Sequence, residues 1–308
     1  MTAQEEHLVS VGMPIYNRPD LLESRLANVT GQTYKNLEIV ISDNASPDPR
    51  VQEVAHKYAN RDSRIRYLRQ NENAGISANF RLVLRESTGK YFAWAADDDE
   101  WDDNFVETCV EGIGRAQLFM PKMAVKHLNS GSIQKTDTPR LSLDESAAVN
   151  AKRFLNALQP GLIYGLHDRE ALNRIFRNED TFDLSDILIV LRAILADGVV
   201  VGDGAEYRAG VPGGEYEPKP IGTEDNPNQF SYRGFLRAAF SAIARSPNLS
   251  ASQKIILYTR LVLVTMKLMA HLTEIYPSSS KPHHKIYCFV RRAPKRLKNL
   301  LFSRRVKH

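Results

Sequence analysis

The first 117 residues alternate between short apolar runs and longer amphipathic runs, and this alternation restricts the fold more than any other feature. The apolar runs at 7–14, 36–42, 64–69 and 89–96 each predict a strand, and the stretches between them have the spacing of helices. Strands that alternate with helices of this length form a parallel sheet with right-handed crossovers. We therefore predict an α/β fold with a mostly parallel central sheet flanked by helices.

The polar loops that follow these four strands are expected to meet at one edge of the sheet. The carboxyl ends of parallel strands lie together, and ligands of open α/β sheets bind beyond them. The loops are residues 14–18, 43–48, 71–77 and 97–103. The first loop, "GMPIYNRPD", offers one glycine where a dinucleotide-binding GxGxxG pattern needs three, so a Rossmann dehydrogenase is disfavoured.

The fourth loop carries an unusual density of negative charge. In "WAADDDEWDDNF", six of the seven residues from Asp97 to Asp103 are carboxylates. Two aspartates at i and i+2 in a turn can converge on one hard cation such as Mg²⁺ or Mn²⁺, and Asp97 and Asp99 have this spacing. Asp102 or Asp103 is expected to cap the helix that follows. The alternative is that the whole run is a solvated turn.

The rest of the chain shows two changes of composition. Residues 121–128 predict a further strand and helical patterns resume after residue 150, whereas 211–230 is rich in glycine and proline and precedes two predicted helices. The last 28 residues hold ten Lys/Arg and no Asp/Glu, although the first 280 hold 31 basic against 36 acidic residues. Two widely spaced cysteines indicate neither a disulfide framework nor a zinc site, and we see no secretory signal. A cytoplasmic protein is expected.

Three segments resemble the inverting family 2 glycosyltransferases with the GT-A fold. They read "VSVGMPIYNRPDLLESRLANVTGQTYKNLEIVISDNASPD", "NENAGISANFRLVLREST" and "GKYFAWAADDDEW", in the family's order and spacing. The resemblance implies a GT-A, Rossmann-like nucleotide-diphospho-sugar transferase fold with a C-terminal helical extension. It divides the chain into a nucleotide-sugar-binding half at 1–117, an acceptor-binding half at 118–210, a linker with C-terminal helices at 211–280 and a basic tail at 281–308.

The same resemblance implies nucleotide contacts in the first three loops. Pro14 and Tyr16 stand where the family's first loop lies against the nucleotide, and Asp43 stands at the aspartate that hydrogen-bonds the base. Asn73 and Gly75 match an "NxG" loop, in which glycine lets the backbone approach the nucleotide closely. Ordinary turn chemistry is the alternative explanation for that loop.

The three consecutive aspartates match the family's DxD motif in two registers. In one, Asp97 and Asp99 hold Mg²⁺ or Mn²⁺. In the other, Ala96 takes the first position, Asp98 approaches the ribose and Asp99 binds the metal, so Asp99 is a ligand in both. The late histidine that relatives often place near the metal is absent from "YRAGVPGGEY".

An inverting transfer also needs a general base, which the family supplies as a carboxylate in its second half. "FDLSDILIVLRAILADG" matches an acidic residue that opens an apolar helix, which implies Asp186 as the base and Asp183 as the alternative. Either carboxylate could instead be a helix N-terminal acid stabilised by the macrodipole. His167, in "YGLHDREAL", lies in a stretch that resembles the acceptor side, but a structural role is more common for a lone histidine.

Together these features predict an inverting hexosyltransferase that moves a sugar from a UDP- or dTDP-sugar to a glycan or lipid-linked acceptor in surface polysaccharide synthesis. A non-catalytic nucleotide-sugar-binding or membrane scaffold protein and a sugar-phosphate nucleotidyltransferase are the alternatives. The tail at 281–308 predicts peripheral contact with the anionic inner face of the cell membrane. A solvated tail is the alternative, and no nucleic-acid motif accompanies the charge.

Overall fold

The computed structural model describes residues 7–177, 184–211 and 232–275, which form one central sheet with helices packed around it. The strands are β1 (Val9–Ile15), β2 (Leu37–Asp43), β3 (Ile65–Arg69), β4 (Tyr91–Trp94), β5 (Glu100–Trp101), β6 (Leu118–His127), β7 (Ile133–Lys135), β8 (Leu166–Asp168) and β9 (Val199–Val211). The helices are α1 (Pro19–Thr30), α2 (Pro49–Ala59), α3 (Ile76–Arg85), α4 (Phe105–Ile113), α5 (Ala147–Ala157), α6 (Arg169–Ile175), α7 (Ser185–Leu195), α8 (Tyr232–Arg245) and α9 (Ala251–Ile275). A 3₁₀ helix covers Pro160–Tyr164.

The four predicted strands of the first 117 residues form the parallel part of the sheet. Their order is β3-β2-β1-β4, and each neighbouring pair is parallel. Both β1 and β4 are buried almost throughout, as expected for strands covered by helices on both faces. The predicted α/β class with a mostly parallel sheet is therefore confirmed.

The second half of the described chain joins the same sheet. Strand β8 pairs antiparallel with β4 and with β6, and β6 pairs parallel with β9. Strand β5 pairs antiparallel with the far side of β9. The strands of both predicted halves thus share one sheet, and the functional division at residue 117 stays a prediction.

Three short strands do not follow from the sequence pattern, and one of them is β7, which pairs antiparallel with β6. Strand β8 has three residues and sits inside a stretch with helical spacing, and β5 lies within the acid cluster, where Glu100 and Trp101 pair with Arg208 and Tyr207. All three are too short for an alternation of apolar and polar residues to be visible. Strand β5 is placed by its pairing with β9, about 100 residues away in the chain, and β8 by its pairing with β4 and β6.

The predicted cap of α4 is wrong. The residue before this helix is Asn104, and no side-chain hydrogen bond caps it. The carboxylate of Asp102 instead accepts a hydrogen bond from the backbone N–H of Glu206 at 2.9 Å and forms an ion pair with Arg208. Contact with β9, which the sequence does not reveal, therefore takes the carboxylate that was expected to cap the helix.

The two predicted C-terminal helices are α8 and α9, which pack on α7 and α5. Their buried side chains include Phe235, Ile243, Leu257 and Leu261, which belong to the main hydrophobic core. The basic tail at 281–308 lies outside the described residues. None of the helices in the described ranges combines the length and the apolar character that crossing a bilayer requires.

Candidate functional site

The loops after β1, β2 and β3 are tied together at the carboxyl edge of the sheet. The register places Ile15 beside Asp43, and Asp43 beside Arg69, so the three strands end at the same level. The carbonyl oxygen of Ile15 accepts hydrogen bonds from the Asn44 backbone N–H at 3.1 Å and from Asn79 Nδ2 at 3.2 Å. The predicted rim therefore exists as one connected edge.

Asp43 is fully buried at this edge. Its Oδ1 accepts the Ser46 N–H at 2.8 Å, and its Oδ2 accepts the Tyr67 hydroxyl at 2.8 Å and a hydrogen bond from Arg69. The side chain has no exposed surface. A nucleotide base could reach the carboxylate only after local movement of these partners, and the predicted base contact stays a prediction.

The loop that contains Asn73 and Gly75 is held against the end of β2. Asn44 Nδ2 donates to Asn73 Oδ1 at 2.7 Å, and Asn44 Oδ1 accepts the Ala74 N–H at 2.9 Å. Gly75 precedes α3 with φ of +85°, a conformation that favours glycine, and no neighbouring atom lies within 4 Å of the position a Cβ would take. The backbone at Gly75 is therefore open to a ligand.

The first loop presents an exposed aromatic side chain at the same edge of the sheet. Tyr16 directly follows β1 and is 43% exposed, whereas Pro14 is half-buried. The strand before Tyr16 is packed closely against β4, because a Cβ on Gly12 would lie 2.7 Å from the Phe92 ring. Tyr16 thus has the exposure that contact with a nucleotide requires.

Arg18 of the first loop bridges two residues of the acid cluster. Its NH1 nitrogen lies 3.0 Å from Asp97 Oδ1 and 2.9 Å from Asp98 Oδ2. The side chain of Asp97 is only 10% exposed and that of Asp98 is 24% exposed. Asp97 and Asp98 therefore converge on a single cationic nitrogen.

Asp99 points toward β9 instead. Its Oδ2 accepts the Tyr207 hydroxyl at 2.6 Å, and its Oδ1 accepts the Gly210 N–H at 3.1 Å. This contact requires glycine, because a Cβ at position 210 would lie 1.8 Å from the carbonyl oxygen of Asp98. The predicted pair of Asp97 and Asp99 has no shared partner here, and its role in metal binding stays a prediction.

Burial raises the pKa of two of these carboxyls. It raises the pKa of Asp97 to about 6, where the charge of Arg18 opposes the rise and that of Asp98 adds to it. It raises the pKa of Asp99 to about 7, against the hydrogen bond from Tyr207 and the charge of Arg25. The site thus stores unfavourable negative charge that a bound cation would relieve.

Arg25 supplies a second positive charge from beneath the cluster. The side chain is 1% exposed, its guanidinium carbon lies 4.1 Å from the centre of the Trp101 ring, and Nε and NH2 have no hydrogen-bond partner among the described residues. Burial lowers its pKa to about 10, and the charge of Asp99 opposes that change most strongly. Arg25 is therefore an internal counter-charge for the acid cluster.

Replacing Asp99 by asparagine is expected to stabilise the metal-free protein more at pH 8 than at pH 5. The folded-state pKa of Asp99 is about 7 against an ordinary 3.8, so ionisation opposes folding increasingly as the pH rises between these values. We expect a gain of about 1 to 3 kcal/mol in the free energy of unfolding at pH 8. Urea titrations at both pH values measure it, and an equal effect at both would contradict the stored charge.

Tyr164 connects the acid cluster with the second half of the sheet. Its ring stacks on that of Tyr207, with centroids 5.6 Å apart and planes at 12°. Burial raises its pKa, and the charges of Asp99 and Asp186 follow as the next largest causes. The Tyr164 ring therefore lies within electrostatic reach of both predicted functional carboxylates.

Asp186 lies in the first turn of α7. Its Oδ1 accepts the Ile187 N–H at 2.7 Å, and the residue before the helix, Leu184, has φ of +71°, which is strained for a branched side chain. The alternative base, Asp183, lies outside the described residues. Proximity to Tyr164 is compatible with the predicted catalytic role of Asp186, which remains a prediction.

His167 has a structural environment. It is buried in β8, its Nε2 lies 2.7 Å from the carbonyl oxygen of Ile163, and its ring packs edge-on against Trp94. Burial lowers its pKa to about 4, so the ring is neutral at physiological pH. This environment explains the histidine without a ligand.

The acid cluster fits a divalent cation in part. Among the described residues, no group of three or more His, Cys, Asp or Glu side chains is arranged to hold a metal ion. Asp97 and Asp98, however, already hold one cationic nitrogen between them, and Asp99 is adjacent. Two carboxylates are a usual protein share for Mg²⁺ or Mn²⁺ when substrate phosphates complete the shell.

Four residues of the site are not singled out by the sequence. Arg18 carried a usable signal, because it is a cation in a loop predicted to face the aspartates. Tyr164 opens a stretch already matched to the acceptor side. The sequence contains no signal for Arg25 and Tyr207, because they reach the site from α1 and β9 through contacts that depend on the three-dimensional fold.

Comparison with known proteins identifies a family. The model of a family described as Glycosyl transferase family 2 matches residues 10–181, more than half of the chain. A Campylobacter jejuni protein named GalNAc(5)-diNAcBac-PP-undecaprenol beta-1,3-glucosyltransferase is 28% identical over 177 residues, which are 56% of each chain. The Streptococcus pneumoniae glycosyltransferase GlyA is 35% identical over 105 residues, 34% of this chain and 15% of that protein. The chain thus spans about half or less of these relatives.

Solved structures share the fold. The crystal structure of a fragment of S. aureus TarS in complex with UDP-GlcNAc superposes with a TM-score of 0.67 at 17% identity, over 96% of this chain and 84% of that one. The mannosyltransferase PcManGT from Pyrobaculum calidifontis, in complex with GDP-Man and Mn²⁺, gives a TM-score of 0.51 at 15% identity, over 96% and 84%. At such identities the likeness is one of fold.

Proposed function

The chain belongs to glycosyl transferase family 2, and we propose that it transfers a sugar from a nucleotide diphosphate sugar to a glycan or lipid-linked acceptor with inversion at the anomeric carbon. One observation carries the proposal. The Tyr164 ring stacks on that of Tyr207, whose hydroxyl donates to Asp99 at 2.6 Å, and burial together with the charges of both Asp99 and Asp186 raises the pKa of Tyr164. An inverting transfer needs a site for the donor diphosphate and a base for the acceptor close to each other.

The donor is proposed to lie along the first three loops. Tyr16 and Pro14 would contact the nucleotide, Asp43 the base, and the open backbone at Gly75, beside Asn73, the nucleotide from the other side. Asp98, which is partly exposed, would approach the ribose. The complex of TarS with UDP-GlcNAc supports a UDP-sugar, and dTDP-sugars share the base edge that Asp43 would read.

The proposed reaction is a single displacement. Asp186 accepts the proton of the acceptor hydroxyl while the oxygen of that hydroxyl attacks the anomeric carbon. The bond from that carbon to the diphosphate oxygen breaks, and its electron pair leaves with the nucleoside diphosphate. Asp99, with Asp97 or Asp98, would hold a Mg²⁺ or Mn²⁺ that offsets the charge of the diphosphate. The Mn²⁺ complex of PcManGT supports that cofactor.

The acceptor is proposed to be lipid-linked or a glycan, as in surface polysaccharide synthesis. The C. jejuni relative is named as a glucosyltransferase of an undecaprenol-linked glycan. Because that relative aligns over 56% of its length, its name supports the class of acceptor and no particular linkage.

Turnover of nucleotide sugars tests the proposal. Purified protein with Mn²⁺ is incubated with UDP- and dTDP-sugars, with and without extracted lipid acceptors, and released nucleoside diphosphate is measured. Slow release without acceptor and faster release with it are expected. Binding without release would favour a non-catalytic binding or scaffold protein, and release of pyrophosphate from a nucleoside triphosphate and a sugar phosphate would identify a nucleotidyltransferase.

Peripheral membrane contact at the inner face of the cell membrane is part of the proposal. On α9, Ile255 and Val262 lie seven residues apart on one face and are 64% and 38% exposed. The chain beyond this helix includes the tail at 281–308, whose ten cations would attract anionic lipid at about 1 kcal/mol each near the surface.

Deleting residues 281–308 is expected to abolish sedimentation with phosphatidylglycerol vesicles and to leave turnover of a soluble donor unchanged. High salt should release the full chain from the vesicles, because the attraction is electrostatic. Phosphatidylcholine vesicles are the control surface. Equal sedimentation of the full and the shortened chain would contradict a role for the tail.

A further inference from the structure

Arg18 reaches from the first loop into the acid cluster. It is the last residue before α1, and a single nitrogen, NH1, makes both contacts with the acid cluster, at 3.0 Å to Asp97 and 2.9 Å to Asp98. The two carboxylates come from a loop about 80 residues further along the chain. An arginine thus occupies the point at which two predicted donor-site carboxylates converge.

The backbone before Arg18 is fixed by the neighbouring loop. Asn17 has φ of +55°, its N–H donates to Ser46 Oγ at 2.8 Å, and its Oδ1 accepts the Asp48 N–H at 3.2 Å. The next residue, Pro19, begins α1. The start of the Arg18 side chain is therefore anchored, so that its movement is limited to rotation about its own bonds.

The end of the side chain is free to rotate outward. Its side chain is 47% exposed, whereas Asp97 is 10% exposed. The carboxylate side of the contact is therefore enclosed, and the arginine side faces water. The guanidinium can therefore leave the aspartates without disturbing buried side chains, and because its backbone is anchored it stays close to them.

The charges around the cluster show why a cation belongs there. Asp97, Asp98, Asp99 and Glu100 are consecutive, and the cations that face them are Arg18, Arg25, Lys126 and Arg208. Lys126 and Arg208 pair with Glu100, and Arg25 lies buried beneath. Among the described residues, Arg18 is thus the cation paired directly with Asp97 and Asp98.

We propose that Arg18 is an internal counter-cation of the donor site, which competes with the divalent metal for Asp97 and Asp98 and moves to the donor diphosphate when the metal binds. The inference rests on the proposed function, because it takes these aspartates to be the metal site. In the ligand-free protein Arg18 keeps the carboxylates in place. With metal and donor bound, the same guanidinium offers paired N–H donors to phosphate oxygens.

The two roles give effects of opposite sign. Loss of Arg18 removes a competitor, so Mn²⁺ alone should bind more tightly. It also removes a phosphate ligand, so UDP should bind more weakly when Mn²⁺ is saturating. General damage to the site would weaken both, and an ordinary surface ion pair would change neither by more than a small factor.

The test measures Mn²⁺ binding by electron paramagnetic resonance and UDP binding by calorimetry for Arg18→Met and Arg50→Met. Both variants lose one positive charge, but Arg50 pairs with Asp48 of the second loop and with Asp20 in the first turn of α1, and within the described part of the chain it has no ion pair with the acid cluster. For Arg18→Met we expect about three- to thirtyfold tighter Mn²⁺ binding and at least about threefold weaker UDP binding in saturating Mn²⁺. Arg50→Met should match the wild type in both.

Unchanged or weaker Mn²⁺ binding by a folded Arg18→Met protein would overturn the proposal, as would a failure of both wild type and variant to bind Mn²⁺. If Arg18→Met does not fold, Arg18→Lys replaces it: a lysine keeps the charge without the fork, so Mn²⁺ binding should stay near wild type while UDP binding weakens. Loss of both affinities in Arg18→Lys would contradict the exchange. Donor turnover is scored separately, so tighter Mn²⁺ binding without any turnover would reject the proposed function alone.

Discussion

Replacing Asp99 by alanine is expected to lower the release of nucleoside diphosphate from the donor at least about 100- to 1000-fold. Asp99 is a metal ligand in both registers of the aspartate run, and it is also the carboxylate fixed by Tyr207 and the Gly210 N–H. Its removal takes away the group that would hold positive charge at the leaving diphosphate. The measurement is the rate of release with saturating Mn²⁺ and donor.

The matched control for this variant is Asp103→Ala. Asp103 belongs to the same acidic run but is exposed, and its backbone carbonyl, which accepts the Thr33 N–H at 2.8 Å, is kept in the variant. Release by Asp103→Ala should stay within about twofold of the wild type. If the rate of nucleoside diphosphate release by Asp99→Ala is within tenfold of the wild-type rate, the proposed role of Asp99 in the donor site is wrong.

Replacing Asp186 by asparagine is expected to lower kcat for transfer to the acceptor about 100- to 10,000-fold, with donor affinity within about twofold of the wild type. Asparagine has nearly the same shape but cannot accept the acceptor's proton. The substitution leaves the partners of the donor-site aspartates, which are Arg18 for Asp97 and Asp98 and Tyr207 for Asp99, in place. Single-turnover transfer and UDP calorimetry measure the two quantities.

A helix N-terminal aspartate elsewhere provides the control for Asp186. Asp168 caps α6 by accepting the Ala171 N–H at 2.8 Å, and it pairs with Tyr91 at the amino end of β4, on the edge away from the site. Asparagine is an equally good cap, so Asp168→Asn should transfer at the wild-type rate. If Asp186→Asn keeps its rate while Asp183→Asn loses it, Asp183 is the base.

The parallel half of the fold could be predicted because its signals are local. The apolar run at 36–42 predicts a strand, and the strand of the structure, Leu37–Asp43, lies within one residue of these bounds. The clustering of the four loops followed from a general property of parallel sheets. No long-range contact had to be known.

The remaining features depend on β9. This strand fixes Asp99 through Tyr207 and Gly210, holds Asp102 through Arg208, and pairs with the short β5. None of these contacts has a local signature, because the partners are separated by about 100 residues of chain. The sequence could therefore place the aspartates at the rim, but it could not show which of them share a cation.

The central claim is that the nucleotide sugar and the metal bind at the carboxyl edge of β1 to β4. A crystal structure with UDP and Mn²⁺, measured at the manganese absorption edge, tests it directly. The account predicts an anomalous peak bound by Asp99 and at least one of Asp97 and Asp98, the uridine beside Tyr16 and Gly75, and Arg18 on the diphosphate. Nucleotide density elsewhere on the protein, or a manganese peak away from these aspartates, would contradict it.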